Sequence, residues 1–409
     1  MATDAGILSV LHIAHNYGQT GGVTTFLDDY VKSSRHRHTV ITASSEATKF
    51  SLNQETPRVI PMRYHKTGAD FQFARDLIFS IPAWEEERRF VRDSKFDIVV
   101  IHSYMSVPSP ILVAALLSRV LGSNVASKLT AHAYTRNQSQ APSVMLFHGL
   151  NSMQGRFQVL RRYYRVMEDV QFTLSDASIV VDSYMDERFG HRAKPTLLLL
   201  GSTDLSLFRP IDRSIALGVL KSQLGIDLEL VQEKDKVALY YGRASLQKGF
   251  ELVENVAMRH RQFWLIIAGP TGLGSVVEEK KKLAVIDSAI PNPVIPYLIS
   301  LADLVLNPVS INGISLTTME SMACGKPVAM LRGYNRRPLR EGIDYFALKT
   351  FDSKSVISEL EEIFEEPKIL TALTVSARPR ALELFETRRH ASALDNFLVK
   401  VASEPHKIS

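Results

Sequence analysis

The sequence predicts an α/β protein made of two doubly wound, Rossmann-like domains that face each other across a cleft. Three observations predict this fold class. The chain has 409 residues, which exceeds the usual size of one hydrophobic core. Short runs of β-branched residues alternate with stretches of helical periodicity, as in successive βα units. After about residue 205 the same alternation starts again, which indicates a second sheet.

The first domain is predicted over 1–204. Its predicted strands are the apolar, β-branched runs 7–14, 38–43, 97–103, 125–133, 178–183 and 196–202. A helix is predicted over 109–122. The polar, Pro-containing stretch 201–214 is typical of a junction between domains.

The second domain is predicted over 205–375. Its predicted strands are 236–244, 263–270, 302–309 and 326–333, and an amphipathic helix is predicted over 246–261. From about residue 352 to residue 401 the pattern is helical.

Composition limits the class of protein. A hydrophobic content of 45% and a charged content of 22% are ordinary for a folded soluble protein. No apolar run is long enough to span a bilayer, and the start of the chain lacks the basic leader of a signal peptide. The single cysteine excludes a disulfide framework, so we expect a cytoplasmic protein. A net charge of +5 suits a phosphate-bearing ligand or an anionic membrane surface, and is too small to indicate nucleic acid.

Ligands of doubly wound sheets bind outside the carboxyl ends of the strands, where loops meet helix N-termini. Two such loops are basic or glycine-rich. In "HNYGQTGGVTTF", Gly21 and Gly22 precede a helix and would let backbone N–H groups approach an anion, or would simply form a tight turn. In "YYGRASLQKGF", Arg243 and Lys248 flank the turn into a helix. They suit a diphosphate, and the alternative is a pair of solvated surface charges.

Two further loops carry polar groups. In "NPVSINGISLTTMESMACG", the amides of Gly313, Ile314 and Ser315 lie at a predicted helix start, where a phosphate can bind. Glu320 follows on that helix and can accept hydrogen bonds from a ribose diol, although it could also be an ordinary surface acid. His132 follows a predicted strand in "LTAHAY", and it is either structural or part of the site.

These stretches together resemble the motifs of the GT-B-fold, nucleotide-sugar-dependent retaining glycosyltransferases of family four. "YGQTGGVTTFL" is similar to the Gly-Gly-Val loop of that family, and "LTAHAY" is similar to its Thr-x-His stretch. "GSTDLSLFRP" resembles the interdomain linker, and "YYGRASLQKGF" resembles the Gly-Arg…Lys-Gly motif. "LADLVLNPVSINGISLTTMESMACGKPVA" resembles the Glu-x7-Glu segment with its Ala-Cys-Gly-x-Pro-Val sequel, which is the most specific of the set.

The resemblance implies a role for each residue. Arg243 and Lys248 would bind the donor diphosphate and act in catalysis. Glu320 would hold the ribose, and His132 would contact the donor sugar near the reacting carbon. The diphosphate would also meet the glycine loop and helix-end amides, namely Gly21, Gly22, Gly313, Ile314 and Ser315. The resemblance further implies retention of anomeric configuration, transfer without a bound metal or other cofactor, and a C-terminal helix, 376–409, that packs back on the N-terminal domain.

The sequence departs from the family's pattern at one position of the donor site. The first Glu of Glu-x7-Glu is replaced by Asn312, which is expected to contact the donor sugar and can hydrogen-bond but carries no charge. A second, smaller departure is Arg336-Arg337, which stands where an acid is often found.

The predicted function is transfer of a sugar from a nucleotide-diphosphate sugar, for example a UDP- or GDP-sugar, to an acceptor hydroxyl in the synthesis of a polysaccharide, glycolipid or other glycoconjugate. The sequence has no Asp-x-Asp motif to hold a metal ion. The alternatives are a non-catalytic nucleotide-binding partner of another transferase and a sugar-nucleotide epimerase. A glycan, a lipid-linked molecule or a small molecule would be the acceptor. The basic stretches 33–40 and 156–170 are candidates for contact with it or with an anionic membrane, or are solvated surfaces.

Overall fold

The computed structural model divides the chain into two compact units. The first comprises Met1–Leu199 and Arg388–Ser409, and the second comprises Leu200–Thr387. The residues that the structure describes are 6–14, 17, 22–42, 58–61, 96–102, 142–147, 165, 168–169, 172, 175–192, 194–225, 228 and 230–403. Each unit contains a sheet of mainly parallel strands, so the predicted two-domain α/β fold is confirmed.

The sheet of the first unit is parallel throughout its described strands. They are β1 (Ser9–Ile13), β2 (Arg37–Thr42), β3 (Arg58–Pro61), β4 (Ile98–His102), β5 (Ser143–Phe147), β6 (Ala177–Val180) and β7 (Thr196–Leu198). Their order in space is β3-β2-β1-β4-β5-β6-β7. All five residues of β4 are buried, as expected for a strand covered on both faces.

The sheet of the second unit has the same architecture with one antiparallel edge. Its strands are β8 (Val237–Tyr241), β9 (Trp264–Ala268), β10 (Val276–Glu278), β11 (Leu283–Ile286), β12 (Leu304–Leu306), β13 (Val328–Leu331) and β14 (Phe346–Leu348). They follow the order β10-β11-β9-β8-β12-β13-β14, and β10 alone of these is antiparallel to its neighbour.

The predicted strands overlap β1, β2, β4, β6 and β7 in the first unit and β8, β9, β12 and β13 in the second. The predicted strand 125–133 and helix 109–122 lie outside the described residues. The sequence did not predict β3, β5, β10, β11 and β14. Four of these five strands are only three or four residues long, which is too short for a clear periodicity.

Helices connect and cover the strands. In chain order they are α1 (Gly22–Ser33), α2 (Ser183–Phe189), α3 (Arg213–Leu224), α4 (Phe250–Arg259), α5 (Ile295–Leu301), α6 (Leu316–Ala323), α7 (Ser353–Glu365), α8 (Pro367–Leu384) and α9 (Thr387–Ser403). In the part of the chain that the structure describes, no helix is long and apolar enough to cross a membrane.

The last helix packs on the first sheet. Leu394 and Leu398 of α9 share a hydrophobic cluster with Tyr30 of α1 and with strand residues such as Val10. The predicted end of the second domain at residue 375 falls inside α8, whose Ala377 and Ala381 are buried in the core of the second unit. Of the predicted C-terminal helix 376–409, only the part that forms α9 therefore packs on the first unit.

A buried carboxylate fastens α9 to the first unit. Asp395 is 3% exposed. It accepts hydrogen bonds from the hydroxyl of Tyr30 at 2.7 Å, the hydroxyl of Ser34 at 2.7 Å and the backbone N–H of Arg35 at 3.0 Å. Because these donors all come from the end of α1 and the turn after it, Asp395 fixes the position of α9 along α1.

A row of three buried histidines crosses the middle of the first sheet. His12 lies on β1, His38 on β2 and His102 at the end of β4. The His12 Nδ1 atom is 2.8 Å from His102 Nε2, and the His12 Nε2 atom is 2.9 Å from His38 Nδ1. The His38 Nε2 atom is buried without a hydrogen-bond partner among the described residues. A bare acceptor is less costly than a bare N–H, so we assign His38 Nδ1–H as the donor to His12.

The histidine row changes the interpretation of the basic stretch 33–40. The side chains of His36 and His38 are buried, and the Nε2 atom of His36 is 3.8 Å from Asp395 Oδ1. This stretch is therefore not a continuous solvated surface. Strand β2 alternates an exposed Arg37 with a buried His38, as the period of two requires.

The histidine row predicts that the first unit is destabilised by mild acid. Burial lowers the pKa of His38 to about 4 and that of His12 well below its ordinary value, in His12 with a further contribution from the other two rings. Between pH 6.5 and about 4 the unfolded chain therefore binds more protons than the native one. The free energy of unfolding decreases as the pH is lowered through this range. The slope is about 1.4 kcal/mol per pH unit for each such histidine.

Denaturant unfolding at pH 7.5 and pH 5 tests this expectation. His38→Asn should reduce the pH dependence of the first unit's transition by about one proton. His191→Gln, at an exposed histidine of the same unit, is the matched control and should leave it unchanged. If His38→Asn kept the full pH dependence of the wild type, the lowered pKa of His38 would not be the cause of it.

Candidate functional site

The candidate site lies at the carboxyl edge of the second sheet. From β8 the chain continues to β9 on one side, whereas β12 and β13 lie on the other side of β8. The loops that follow β8 and β12 therefore leave in opposite directions from adjacent strands. This is the topological switch point, where open α/β sheets bind their ligands.

Arg243 and Lys248 lie on the loop that follows β8, the basic loop (residues 242–249). Arg243 is exposed, and Lys248 is half-buried at the end of a 3₁₀ turn, Leu246–Lys248. The hydroxyl of Tyr240 donates to the carbonyl oxygen of Arg243 at 3.0 Å and fixes the start of the loop. Gly249 then reverses the chain into α4 with a φ of +68°.

The loops after β8 and β12 are in direct contact. A Cβ atom on Gly249 would lie 2.3 Å from the carbonyl oxygen of Pro308, so only glycine fits there. The backbone N–H of Ser310 donates to the carbonyl oxygen of Gln247 at 3.1 Å. The structure thus brings the basic loop and the loop that leads into α6 together.

The start of α6 is fixed by a buried amide. The Nδ2 atom of Asn307 donates to Ser315 Oγ at 2.7 Å and to Thr318 Oγ1 at 2.8 Å. Ser315 is the N-cap of α6 and accepts the N–H of Thr318. The amides of Ile314 and Ser315 have no acceptor within the described residues, so they are free to bind an anion at the helix start.

The structure is at odds with the proposed phosphate contact of Gly313. Its N–H donates to the carbonyl oxygen of Asn335 at 2.9 Å. The φ of Gly313 is +90°, which turns this amide toward the chain that follows β13. Ile314 and Ser315 thus remain the candidate amides, and Gly313 supplies the bend that precedes them.

Asn312 is also held by the loop after β13. Its Oδ1 atom accepts the N–H of Asn335 at 2.8 Å. The oxygen that was expected to face the donor sugar therefore joins two loops. A role for the rest of this side chain in sugar binding stays a prediction.

Arg336 holds the loop after β12 through hydrogen bonds to its backbone. Its guanidinium is buried and donates to the carbonyl oxygens of Val309 at 2.7 Å and Gly313 at 2.8 Å, and also to that of Ile311. Three carbonyl oxygens of one short loop are thus fixed by one planar cation. The arginine noted as a departure in the sequence has this structural role.

Glu320 is a buried carboxylate on the face of α6 that points toward β8. Its side chain belongs to a residue only 7% exposed, and its Oε2 atom accepts the Tyr241 hydroxyl at 2.8 Å. The interpretation of Glu320 as an ordinary surface acid is therefore wrong. A carboxylate removed from water and held by a neutral donor is suited to hydrogen-bond a polar ligand.

The charges of the basic loop and of α6 influence one another. The pKa of Lys248 lies below its ordinary value of 10.5, because the ammonium is partly buried and because the Arg243 guanidinium repels its charge. The Glu320 carboxylate acts in the opposite direction. An anion bound beside Arg243 and Lys248 would stabilise both cations, so the electrostatics favour a phosphate-bearing ligand.

The loop after β9 differs, because its amides already have a partner. Asp287 accepts the N–H groups of Thr271, Gly272 and Gly274 at 2.7–2.9 Å. These hydrogen bonds, led by that from Gly274, lower the pKa of Asp287 to about 2. This loop is thus self-contained, whereas the amides of Ile314 and Ser315 have no acceptor among the described residues.

Three predicted site residues cannot be placed with the others. Gly21 and His132 lie outside the described residues, and Gly22 is the first residue of α1 in the first unit. Sequence reasoning overlooked Tyr240, Tyr241 and Asn307. The dipeptide Tyr-Tyr at a strand end before Gly-Arg, and an Asn directly after a buried strand, were signals that could have found them. Among the described residues, no group of three or more potential metal ligands is close enough to hold a metal ion.

The comparisons with known proteins concern the family and the fold. Residues 227–379, which lie within the second unit, match the model of a protein family described as glycosyl transferases group 1. The resemblance to GT-B glycosyltransferases is confirmed. A D-inositol 3-phosphate glycosyltransferase of Thermobispora bispora is 25% identical over 194 residues. That alignment spans 42% of this chain and 43% of the relative, less than half of either.

Solved GT-B structures share the fold over nearly the whole chain. Anabaena Alr3699/HepE, crystallised with UDP and with UDP-glucose, covers 96% of this chain with all of its own, at a TM-score of 0.69 and 17% identity. Sucrose-phosphate synthase of Thermosynechococcus elongatus covers 96% with 98% of its own, at a TM-score of 0.71 and 15% identity. At these identities the likeness shows the GT-B fold of the chain and nothing of its chemistry.

The contact between Gly249 and Pro308 predicts a selective loss of stability. Gly249→Ala adds a clash with the carbonyl of Pro308 to the strain of a left-handed backbone, which alone costs about 1–2 kcal/mol. Gly272→Ala is a matched control, because Gly272 has a φ of +78° and open space around the added Cβ. In denaturant unfolding, Gly249→Ala should be clearly less stable than Gly272→Ala. Equal losses would show that the two loops do not pack as described.

Proposed function

We propose that this protein is a glycosyltransferase that moves a sugar from a nucleotide-diphosphate sugar to an acceptor hydroxyl, and that its second domain binds the donor. One observation carries the proposal. At the switch point of the second sheet, the loop with two cations after β8 touches the loop whose open amides start α6, and α6 carries the buried carboxylate of Glu320. This combination suits a diphosphate joined to a ribose.

The chemistry follows from where charge develops. The bond between the anomeric carbon and the diphosphate oxygen breaks, and its electron pair leaves with the diphosphate. Arg243 and Lys248 would stabilise that growing negative charge, together with the amides of Ile314 and Ser315. The acceptor oxygen forms the new bond to the anomeric carbon, and its proton passes to the departing diphosphate. Such a front-face transfer retains the anomeric configuration.

In this scheme side chains and helix-end amides take the part that a divalent cation plays in other transferases. We infer that transfer is independent of added metal. Activity that is unchanged by a strong chelator is the expected result, and a need for Mg²⁺ or Mn²⁺ would contradict the inference.

The relatives support a choice of first donors. The HepE protein has been crystallised with UDP and with UDP-glucose. UDP, GDP and ADP should first be screened by thermal shift, because a ligand that binds only the native state raises the melting temperature. The corresponding sugar nucleotides follow, with the anomeric configuration of the product read by NMR. A product of inverted configuration would refute retention.

The same assays separate the alternatives. Binding of a nucleotide sugar with neither transfer nor hydrolysis would indicate a non-catalytic nucleotide-binding partner. Conversion of one nucleotide sugar into another without an acceptor would indicate an epimerase. The contact of Asn312 with Asn335 gives the non-catalytic alternative its structural basis, since it occupies an oxygen expected to face the sugar.

Lys248→Ala should lower kcat/KM by about two to three orders of magnitude, because it removes a cation from the departing diphosphate. The matched control is Lys234→Ala, at an exposed lysine in the turn before β8 and thus at the opposite end of that strand. It should retain full activity. A folded Lys248→Ala protein with unchanged kcat/KM would refute the role of Lys248.

The affinity for UDP should fall as the pH rises, starting at lower pH than an ordinary lysine would predict. The pKa of Lys248 lies below 10.5, so the ammonium loses its proton earlier, and a neutral amine no longer attracts the diphosphate. Lys248→Arg should keep its affinity to higher pH, because a guanidinium remains charged. Calorimetric titrations above pH 8 measure both profiles, and superimposable profiles would contradict the assignment.

A further inference from the structure

Two consecutive tyrosines end β8, directly before Gly242 and Arg243. Successive residues of a strand point to opposite faces of the sheet. The ring of Tyr241 lies in the core beneath α6, and that of Tyr240 lies on the other face beside Phe250 of α4, with ring centroids 5.7 Å apart. The two hydroxyls donate hydrogen bonds to different parts of the candidate site.

Tyr241 reaches α6. Its hydroxyl is 2.8 Å from Glu320 Oε2 and 3.1 Å from the carbonyl oxygen of Thr317. A tyrosine hydroxyl carries one proton, and the charged oxygen at the shorter distance is the stronger acceptor. Both Tyr241 and Glu320 are only 7% exposed, so water competes little for this hydrogen bond.

The hydrogen bond from Tyr241 stabilises the charged form of the buried carboxylate. A carboxylate removed from water either gains donors, takes up a proton or rotates toward solvent. Burial and the nearby Glu320 charge raise the pKa of Tyr241 well above its ordinary value, so the hydroxyl remains a donor at any physiological pH. Tyr241 thus holds one oxygen of Glu320 and fixes the plane of the carboxylate.

We propose that Tyr241 is a positioning residue that makes this site select a ribonucleotide over a nucleotide without a ribose diol. This inference rests on the proposed function, and in particular on Glu320 as the group that meets the ribose. It assigns the selectivity to a residue of β8 that touches no part of the nucleotide.

The physical reason is the geometry of two donors and one carboxylate. A vicinal diol offers two O–H donors at a fixed separation, and a carboxylate of fixed orientation can accept them with little loss of entropy. A nucleotide without the diol would cover the carboxylate and leave it with fewer donors than in water. Sites built to bond a hydroxyl reject analogues that lack it for this reason.

Tyr240 provides an internal contrast. Its hydroxyl donates to the carbonyl oxygen of Arg243 and therefore supports the loop that would meet the diphosphate. Loss of that hydroxyl should weaken every nucleoside diphosphate by a similar factor. Loss of the Tyr241 hydroxyl should weaken only those with a ribose diol.

The test is a thermodynamic cycle by isothermal titration calorimetry with UDP and 2′,3′-dideoxy-UDP, or the guanosine or adenosine pair if the screen selects that base. Tyr241→Phe should weaken UDP about tenfold, the value of one hydrogen bond to a charged group, and the dideoxy compound less than twofold. Tyr240→Phe should weaken both to the same extent. Tyr241→Met, which also lacks the hydroxyl, replaces Tyr241→Phe if that variant does not fold.

The outcomes separate this inference from the function on which it rests. Equal weakening of UDP and dideoxy-UDP by Tyr241→Phe, or no weakening of either, would overturn the positioning role and leave the proposed function standing. No binding of any nucleoside diphosphate to the wild-type protein would overturn both. Loss of the ribose preference in Tyr241→Phe, with the dideoxy affinity retained, is the expected result.

Discussion

The approach of Gly249 to the carbonyl of Pro308 is the constraint on which the candidate site depends. It exists because β8 and β12 are neighbours in the sheet, so their loops leave the same edge a strand's width apart. With no side chain between them, the basic loop lies directly against the loop that leads into α6. Arg243, Lys248 and the start of α6 are then held in one place by the backbone, before any ligand is considered. The hydroxyls of Tyr240 and Tyr241 also hold parts of the site in place, and both tyrosines belong to β8, the strand that sets this spacing.

The sequence was informative where a function follows from local chain geometry. Glycines, cations after a strand, and a helix start after a buried strand are all signals within a dozen residues. They pointed to Arg243 and Lys248 on one loop and to Ser315 and Glu320 at the adjoining start of α6. It was not informative where the partner is distant in the chain. The amide of Gly313 and the oxygen of Asn312 are occupied by Asn335, more than twenty residues away, and no local pattern records that pairing. Short strands such as β10 and β14 were missed for a related reason, because three residues cannot display a period.

In the first unit, too, local features could be predicted and contacts between distant residues could not. Its long apolar strands were predictable, whereas the histidine row was not, because its members come from three strands that only the sheet order brings together. In the sequence, "SSRHRHTV" is simply basic. In the fold, His36 and His38 point inward and Arg37 points outward. Net charge along a segment is thus a poor guide to its surface when the segment is a strand, since every second residue belongs to the interior.

The return of α9 to the first unit has a consequence for synthesis on the ribosome. Leu394 and Leu398 pack against residues that include Val10 and Tyr30, and the donors that Asp395 satisfies are made 360 to 365 positions earlier. The second unit is complete at Thr387 and can fold as it emerges. The first unit lacks α9, and with it Leu394, Leu398 and Asp395, until residues 387–403 have been made.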